Sequence, residues 1–543
     1  MANLGRPPCD EGIIWSGKYE APCAPSSGPW ILAGTIIGSG MAFIDSTVTN
    51  VALPALQQDL EATAVDAQWI VESYALLLAS LILVGGSLGD HYGRRRIYSL
   101  EVALFALASI VCGLAMNPGQ LIAARTIQGI GGALLVPGSL SIISASFEGE
   151  RRGKAIGTWS GFSGITAALG PILGGYLVEN VSWRAAFLIN VPLAVVVLSI
   201  VASHVPESRD PDTRRLDLPG ALLATLGLGG IVYGLIESSS RGFGDLPVLI
   251  SLLLGATALV AFVLVERRSY EPMMPLRLFK SRNFGGSNLL TLLLYAGLGG
   301  SLYFLPFNLI QVHGYSATAA GAAFLPFIVI TFLMSRWAGG LVTRYGAKLP
   351  LIIGPSIAAV GFILFAMPGT GGSYWTTFFP AVAVQGLGMS LVIAPLTTTA
   401  LNAIEGRHSG LASGVNNAVS RTAGLVSIAV LGIFVFAAFS SSLDSRIENL
   451  NLTSEQQAIL ETEKVDLGGA EVPEGVDGET AAAVEQAVDE AFVSAFRLAM
   501  FIAAGLAIAS AVAAAVLIEG KGETARPQEI ARPRQAPGAS SPA

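Results

Sequence analysis

The chain contains fourteen separate runs of about 20 mainly apolar residues, the length a helix needs to cross a roughly 30 Å hydrocarbon core. They fall at 31–53, 67–89, 97–115, 119–145, 154–178 and 183–203, then at 218–237 and 246–265. The last six are 286–310, 318–340, 349–367, 377–400, 410–438 and 492–518. Inside lipid every backbone polar group must be satisfied within its own segment, so runs of this length fold as helices. Only 13% of the 543 residues are charged, about half the share of a soluble domain. So few charges cannot cover a water-facing surface of this size. The sequence therefore predicts an all-α membrane protein with fourteen transmembrane helices. Most of the 63 glycines lie inside the runs, where small residues let helix backbones approach closely. Residues 1–29 have no apolar core, so the run starting near Trp30 reads as an uncleaved anchor rather than a signal peptide.

Orientation follows from the positive-inside bias of Lys and Arg. Arg94, Arg95 and Arg96 follow the second run; Arg151, Arg152 and Lys154 surround the start of the fifth. Arg209, Arg214 and Arg215 follow the sixth, and Arg267, Arg268, Arg277, Lys280 and Arg282 follow the eighth. Arg344, Lys348, Arg407 and the tail residues Lys521, Arg526, Arg532 and Arg534 continue the pattern. The alternate loops 54–66, 116–118, 179–182, 311–317 and 368–376 carry no Lys or Arg. Both termini are thus expected in the cytoplasm, with a plasma (bacterial inner) membrane as the host bilayer. One loop on the far side, 440–490, holds thirteen acidic residues against Arg446 and Lys464. It reads as a partly helical cap, a flexible flap or a plain solvated loop.

The chain also repeats itself about 253–257 residues apart. GSLGDHYGRRR after the second run has a partner, GLVTRYGAK, after the tenth; QGIG at 128–131 matches QGLG at 385–388; Gly157 matches Gly414. The predicted organisation is an N-terminal tail (1–29), a six-helix bundle (30–205), two linker helices with a loop (206–284), a second six-helix bundle carrying the acidic loop (285–520), and a C-terminal tail (521–543). Parallel repeats around a central cavity are a transporter architecture.

At these residues the chain resembles the major facilitator superfamily. GSLGDHYGRRR is similar to its signature between helices 2 and 3, with Gly86, Asp90, Gly93, Arg94 and Arg95 in place. FIDSTVTNVALPAL (43–56), GITAALGPILGG (164–175) and WRAAFLINVP (183–192) resemble the fourteen-helix drug:proton antiporter family of the EmrB/QacA type. The resemblance implies a major facilitator fold, a conformational latch at the signature loop, and an antiporter motif at Gly170, Pro171, Gly174 and Gly175. The second copy of the loop has Thr343 where Asp90 stands in the first.

Charges within the runs point to the chemistry. A carboxylate at mid-membrane costs about 2.5–3.5 kcal/mol on insertion scales, so an acid there is a functional candidate. Asp45, Glu72 and Arg125 fall at similar depth in the first bundle, which suggests one shared charge cluster. A nearby Arg and burial act in opposite directions on a carboxyl, so a proton and a cationic substrate can compete for it. The resemblance assigns this coupling role to Asp45 and supports an acid at Glu72. Gln128, Gln385, Asn416, Asn417 and Arg421 are candidates for the cavity lining.

The expected function is proton-coupled efflux of small lipophilic, including cationic, compounds by alternating access. The alternatives are an uptake symporter, an exporter of one metabolite or lipid, and a non-transporting membrane sensor or assembly protein. The expected partners are a small-molecule substrate, protons and the bilayer, with a periplasmic adaptor left open. Cys9, Cys23 and Cys112 match no metal spacing, and no Gly-Lys-Ser/Thr phosphate loop is present. No enzyme activity, metal, cofactor or nucleic-acid partner is expected; the proton gradient is the energy source.

Overall fold

The computed structural model describes residues 27–520 apart from 148, 210–216, 270–271, 404–408, 449, 451 and 474. The C-terminal tail, nearly all of the N-terminal tail, and Arg214, Arg215 and Arg407 lie outside the described residues. Among these residues the secondary structure is helical. The long helices are α1 (Gly28–Leu60), α2 (Ala64–Tyr92), α3 (Arg94–Gly113), α4 (Pro118–Ser146), α5 (Gly149–Asn180) and α6 (Trp183–His204). The linker pair α7 (Leu218–Arg241) and α8 (Leu246–Arg268) follows. Then come α9 (Arg282–Phe307), α10 (Leu325–Tyr345), α11 (Lys348–Phe365), α12 (Phe379–Asn402), α13 (Ser409–Ile447) and α14 (Gly478–Leu517).

Thirteen spans among the described residues are long and apolar enough to cross a membrane. A further helix, α5, is 32 residues long and packs mainly against α1 and the second half. Exposed Leu107, Val111, Leu222, Leu253, Leu333 and Val512 suit a lipid surface better than water.

Helices α1–α6 pack on one another, as do α9–α14. The linker helices α7 and α8 cross tightly where Gly230 meets Gly255, the close approach that small residues permit in membranes. Val232 and Ile236 of α7 wedge against Leu76 of α2 and against Leu425 and Ala429 of α13. The linker pair thus lies along the seam between the halves.

Two helices outrun their apolar segments. α13 continues to Ile447, and α14 starts at Gly478, well before the apolar stretch. Between them lie a short helix at Ser454–Glu463 and a 3-10 turn at Lys464–Gly469. Buried Leu460, Leu467 and Val484 anchor this acidic segment to the bundle, so it forms a folded, largely helical cap.

The halves meet at the end that bears this cap. A Cβ on Gly175 of α5 would collide with the Ala317 carbonyl, and one on Gly321 with the Pro171 carbonyl. The short helix Ala317–Ala322 before α10 therefore lies directly on α5. Gly157 and Gly175 lie 18 residues apart, five turns at 3.6 residues each, and so share one stripe of α5. The halves are thus in contact at the acidic end, and Gly157, nearer the Arg-rich end, and Gly161 border open space among the described residues.

Candidate functional site

Asp45 lies midway along α1 and is 1% exposed. Its carboxylate forms an ion pair with Arg125 of α4, which is equally buried. Gln128, one turn along α4, donates to Asp45 Oδ1 at 2.8 Å and accepts from Arg125 at 2.7 Å. Asn190 of α6 donates to the same Oδ1 at 3.1 Å. Ser109 of α3 accepts from Gln128 and Asn190 at 2.7 and 3.2 Å. Arg125 also donates to the Ile70 carbonyl of α2 at 3.1 Å, and its guanidinium lies 4.1 Å from the centre of the Tyr74 ring. All these groups come from α1, α2, α3, α4 and α6. A buried ion pair is tolerable only when the remaining donors and acceptors are satisfied, and this network supplies those bonds.

The sequence placed Asp45, Glu72 and Arg125 at one depth, and the structure joins only the first and last. Glu72 is two residues beyond Ile70, about 200° around α2 at 100° per residue. Its carboxyl therefore points away from Arg125. It is 0% exposed, and neither oxygen has a hydrogen-bond partner. Tyr303 of α9, in the other half, is close enough to sense its charge. Glu72 thus occupies the seam and forms a site separate from the Asp45 network.

At the basic end, Arg94 donates to Asp90 at 2.8 Å. Gly93 has φ +107°, a conformation that favours glycine. Glu207, just past α6, fixes this corner by accepting from the backbone N–H groups of Arg95 and Arg96 at 3.1 Å each, an anion at a helix N-terminus. Arg95 reaches the Val205 carbonyl at 3.3 Å. Gly86 lies in the last turns of α2. The signature loop therefore ties the start of α3 to the end of α6.

The Gly-Pro stretch of α5 does not break the helix, which runs through Pro171 to Asn180. Gly170 and Gly174 sit against Thr47 and Val48 of α1, with only 2.9 Å between a Cβ at Gly174 and Val48. Gly175 and the Pro171 carbonyl face the second half, as described above. The motif is thus a packing face for α1 on one side and the acidic-end closure on the other.

The cavity-lining candidates separate. Gln128 is embedded in the Asp45 network. Asn416 donates to Asn288 and Thr291 of α9 at 3.2 and 2.8 Å, an interaction within the second half. Asn417 is half-buried. Arg421 reaches across the seam, 5.9 Å from the Phe43 ring centre, and its Nε has no hydrogen-bond partner. Gln385 is buried with both amide atoms unpartnered. It lines a small pocket in the second half with Ser301, Phe324, Phe327 and Phe365. Sequence reasoning missed Ser109, Asn190, Glu207 and a buried acid in α3, Glu101. Asn190 and Glu101 each had a signal, an amide and an acid within otherwise apolar spans. Ser109 and Glu207 did not stand out from ordinary polar residues near helix ends.

Comparison with known proteins agrees with this architecture. A family model described as Major Facilitator Superfamily matches residues 35–442. Multidrug resistance protein Stp of Mycobacterium tuberculosis (strain CDC 1551 / Oshkosh) is 34% identical over 418 residues, covering 77% of this chain and 78% of that one. Puromycin resistance protein pur8 of Streptomyces alboniger is 37% identical over 407 residues, covering 74% and 80%. A solved bacterial homologue of the human lysosomal transporter Spinster, inward-facing and unoccupied, matches with a TM-score of 0.59 at 19% identity, over 90% of this chain and 98% of that one. That likeness supports the fold, and together with the matched family model and the two resistance proteins it means that this multi-pass membrane chain belongs to the Major Facilitator Superfamily.

Proposed function

We propose that this chain exports small lipophilic compounds, cationic ones included, in exchange for protons. The basic end faces the cytoplasm of a bacterial cell, and the acidic cap faces outward across the inner membrane. The two six-helix groups rock about the seam as near-rigid bodies, carrying the linker helices with them. Relatives named for multidrug and puromycin resistance favour export over uptake. The observation that carries the coupling is the buried Asp45–Arg125 pair. Protonation of Asp45 cancels the ion pair that holds α1 to α4, and Arg125 keeps its bonds to the Ile70 carbonyl and Gln128. The state of one proton is thereby converted into the packing of the first half.

Glu72 supplies the second site. An ionised carboxylate buried without a partner is costly, so it is uncharged while the seam around it is shut. When the halves part, a cationic substrate and a proton exchange there. A 100 mV potential contributes about 2.3 kcal/mol per charge, and one pH unit about 1.4 kcal/mol. One proton per cycle sustains a gradient of several hundred-fold for a neutral substrate, at tenfold per 1.4 kcal/mol.

The test uses everted vesicles with ethidium as a lipophilic cation. Asp45→Asn is expected to insert normally and to lose pH-gradient-driven ethidium uptake. Undiminished transport by that variant, still tied to the gradient, would sink the scheme.

A further inference from the structure

The half of the first bundle nearer the basic end contains a second polar layer that the Asp45 network does not reach. At its centre is Glu101 of α3, 3% exposed, with neither carboxylate oxygen hydrogen-bonded. Beside it runs a chain of hydroxyls from three helices. Ser39 of α1 and Ser139 of α4 are 2.7 Å apart, and Ser139 is 3.1 Å from the Tyr98 hydroxyl of α3. The Trp159 indole of α5 donates to Ser39 at 3.1 Å and closes the chain on that side. Glu101 and Tyr98 converge at Gly138, where a Cβ would stand 3.0 Å from both Glu101 Oε2 and the Tyr98 ring.

The layer is separate from the first. Glu101 lies eight residues before Ser109 on α3, or about 12 Å at 1.5 Å per residue. Met41, Phe105 and Leu135 pack in this part of the bundle. No ion pair reaches Glu101 among the described residues. The arginines at the start of α3 are engaged elsewhere, Arg94 with Asp90 and Arg95 with the Val205 carbonyl. Tyr98 is its titratable neighbour. The packed faces of α1, α4 and α5 offer hydroxyls and an indole, and α6 offers Val197 and Val201. A carboxyl in such a place is stable only uncharged, so it holds a proton. A purely structural position would be as well filled by an apolar residue.

We infer that Glu101 is the inner proton station of the exchange. It takes the proton released from the Asp45 layer and passes it toward the cytoplasmic cleft. The O–H bond of Glu101 breaks and its proton passes to water admitted to this layer as the helices of the first bundle shift, since no hydrogen bond joins the carboxyl to the hydroxyl chain in the closed layer. The same water carries the next proton from Asp45 to the carboxylate left behind, so Glu101 and the hydroxyls end the cycle unchanged. The inference rests on the proton-exchange reading above.

Glu101→Gln keeps the volume and the neutral charge, and two measurements on it decide the matter. In nanodiscs, infrared difference spectra between acidic and alkaline buffer need no substrate. The protonated-carboxyl band of the wild type is expected to lose one component in the variant, and an unchanged band would overturn the inference. In everted vesicles, ethidium pumping driven by a pH gradient is expected to fall about tenfold or more, equivalent to about 1.4 kcal/mol. Ethidium counterflow without a gradient should stay near wild type. Normal pumping, or equal loss of pumping and counterflow, would overturn the inference and mark Glu101 as structural. A wild type whose ethidium pumping ignores the gradient would overturn the exchange reading itself and this inference with it; a defect confined to the variant separates the two.

Discussion

Arg125 is held from several sides: by Asp45, by Gln128, by the Ile70 carbonyl and by the Tyr74 ring. Asp45 is held mainly by Arg125, with two amide donors beside it. Removing the arginine therefore damages the fold more than removing the acid. Arg125→Gln leaves a buried carboxylate without its cation, a loss of about 3–5 kcal/mol for a broken buried pair. Adding Asp45→Asn removes the stranded charge and should restore most of that stability without restoring proton coupling. Thermal unfolding of the purified variants in detergent measures both effects; a double variant no more stable than Arg125→Gln alone would contradict the assignment. Asp45 and Arg125 were legible in the sequence because charges in lipid are rare and expensive. The direction Glu72 takes was not, since depth along a helix says nothing about which face a residue occupies. Ser109 and Asn190 were hidden because uncharged polar residues are common in spans and only become conspicuous when four helices bring them together.

At the scale of the element, α5 shows how one helix can serve both packing and movement. Its glycines hold it against α1 through Gly170 and Gly174 and against the second half through Gly175. The first contact lies within one half, whereas the second joins the two halves and, in the proposed cycle, must open for substrate to leave. Gly321→Leu puts a side chain where the Pro171 carbonyl now lies and should hold the acidic end apart. Transport is expected to fall by about tenfold or more, some 1.4 kcal/mol, with expression retained. Cysteines placed on α5 and on the 317–322 helix, read by spin-label distances, should report a wider separation than in the wild type. An unchanged distance would show that the crossing tolerates bulk. The sequence announced these glycines and Pro171, and the family resemblance attached them to exchange. It could not show that the proline leaves α5 continuous, because a neighbouring backbone packed along the helix is a tertiary fact. The ends of α13 and α14 were unreadable for a related reason. Apolar runs mark where lipid stops, whereas the helices continue into water on an amphipathic, acidic sequence.

For the whole molecule, the acidic cap adds a response to pH of its own, apart from that of the transmembrane carboxyls. The 3-10 turn at Lys464–Gly469 belongs to the second half yet contacts the start of α2 in the first. Lys464 is satisfied by Asp444 and Glu461. Asp466 is not; burial, with Glu463, Asp66 of α2 and Glu471 around it, raises its carboxyl from 3.8 to about 6. A raised acid favours the docked arrangement only while protonated. The cap should therefore dock most firmly below about pH 4, lose that advantage as pH climbs to 6, and change little above it. Asp66 lies across the seam, so ionisation of Asp466 sets two like charges against each other at the point where the halves must part. Acid on the side of the cap would then favour the closed acidic end seen here, and neutral medium would ease its opening. Hydrogen exchange of residues 454–469 in nanodiscs measures this directly. Protection should rise as the medium is acidified through the range between pH 6 and 4 in the wild type and stay high and flat in Asp466→Asn. Equal pH dependence in the two proteins would remove Asp466 from the account and leave the cap as a passive cover over the seam.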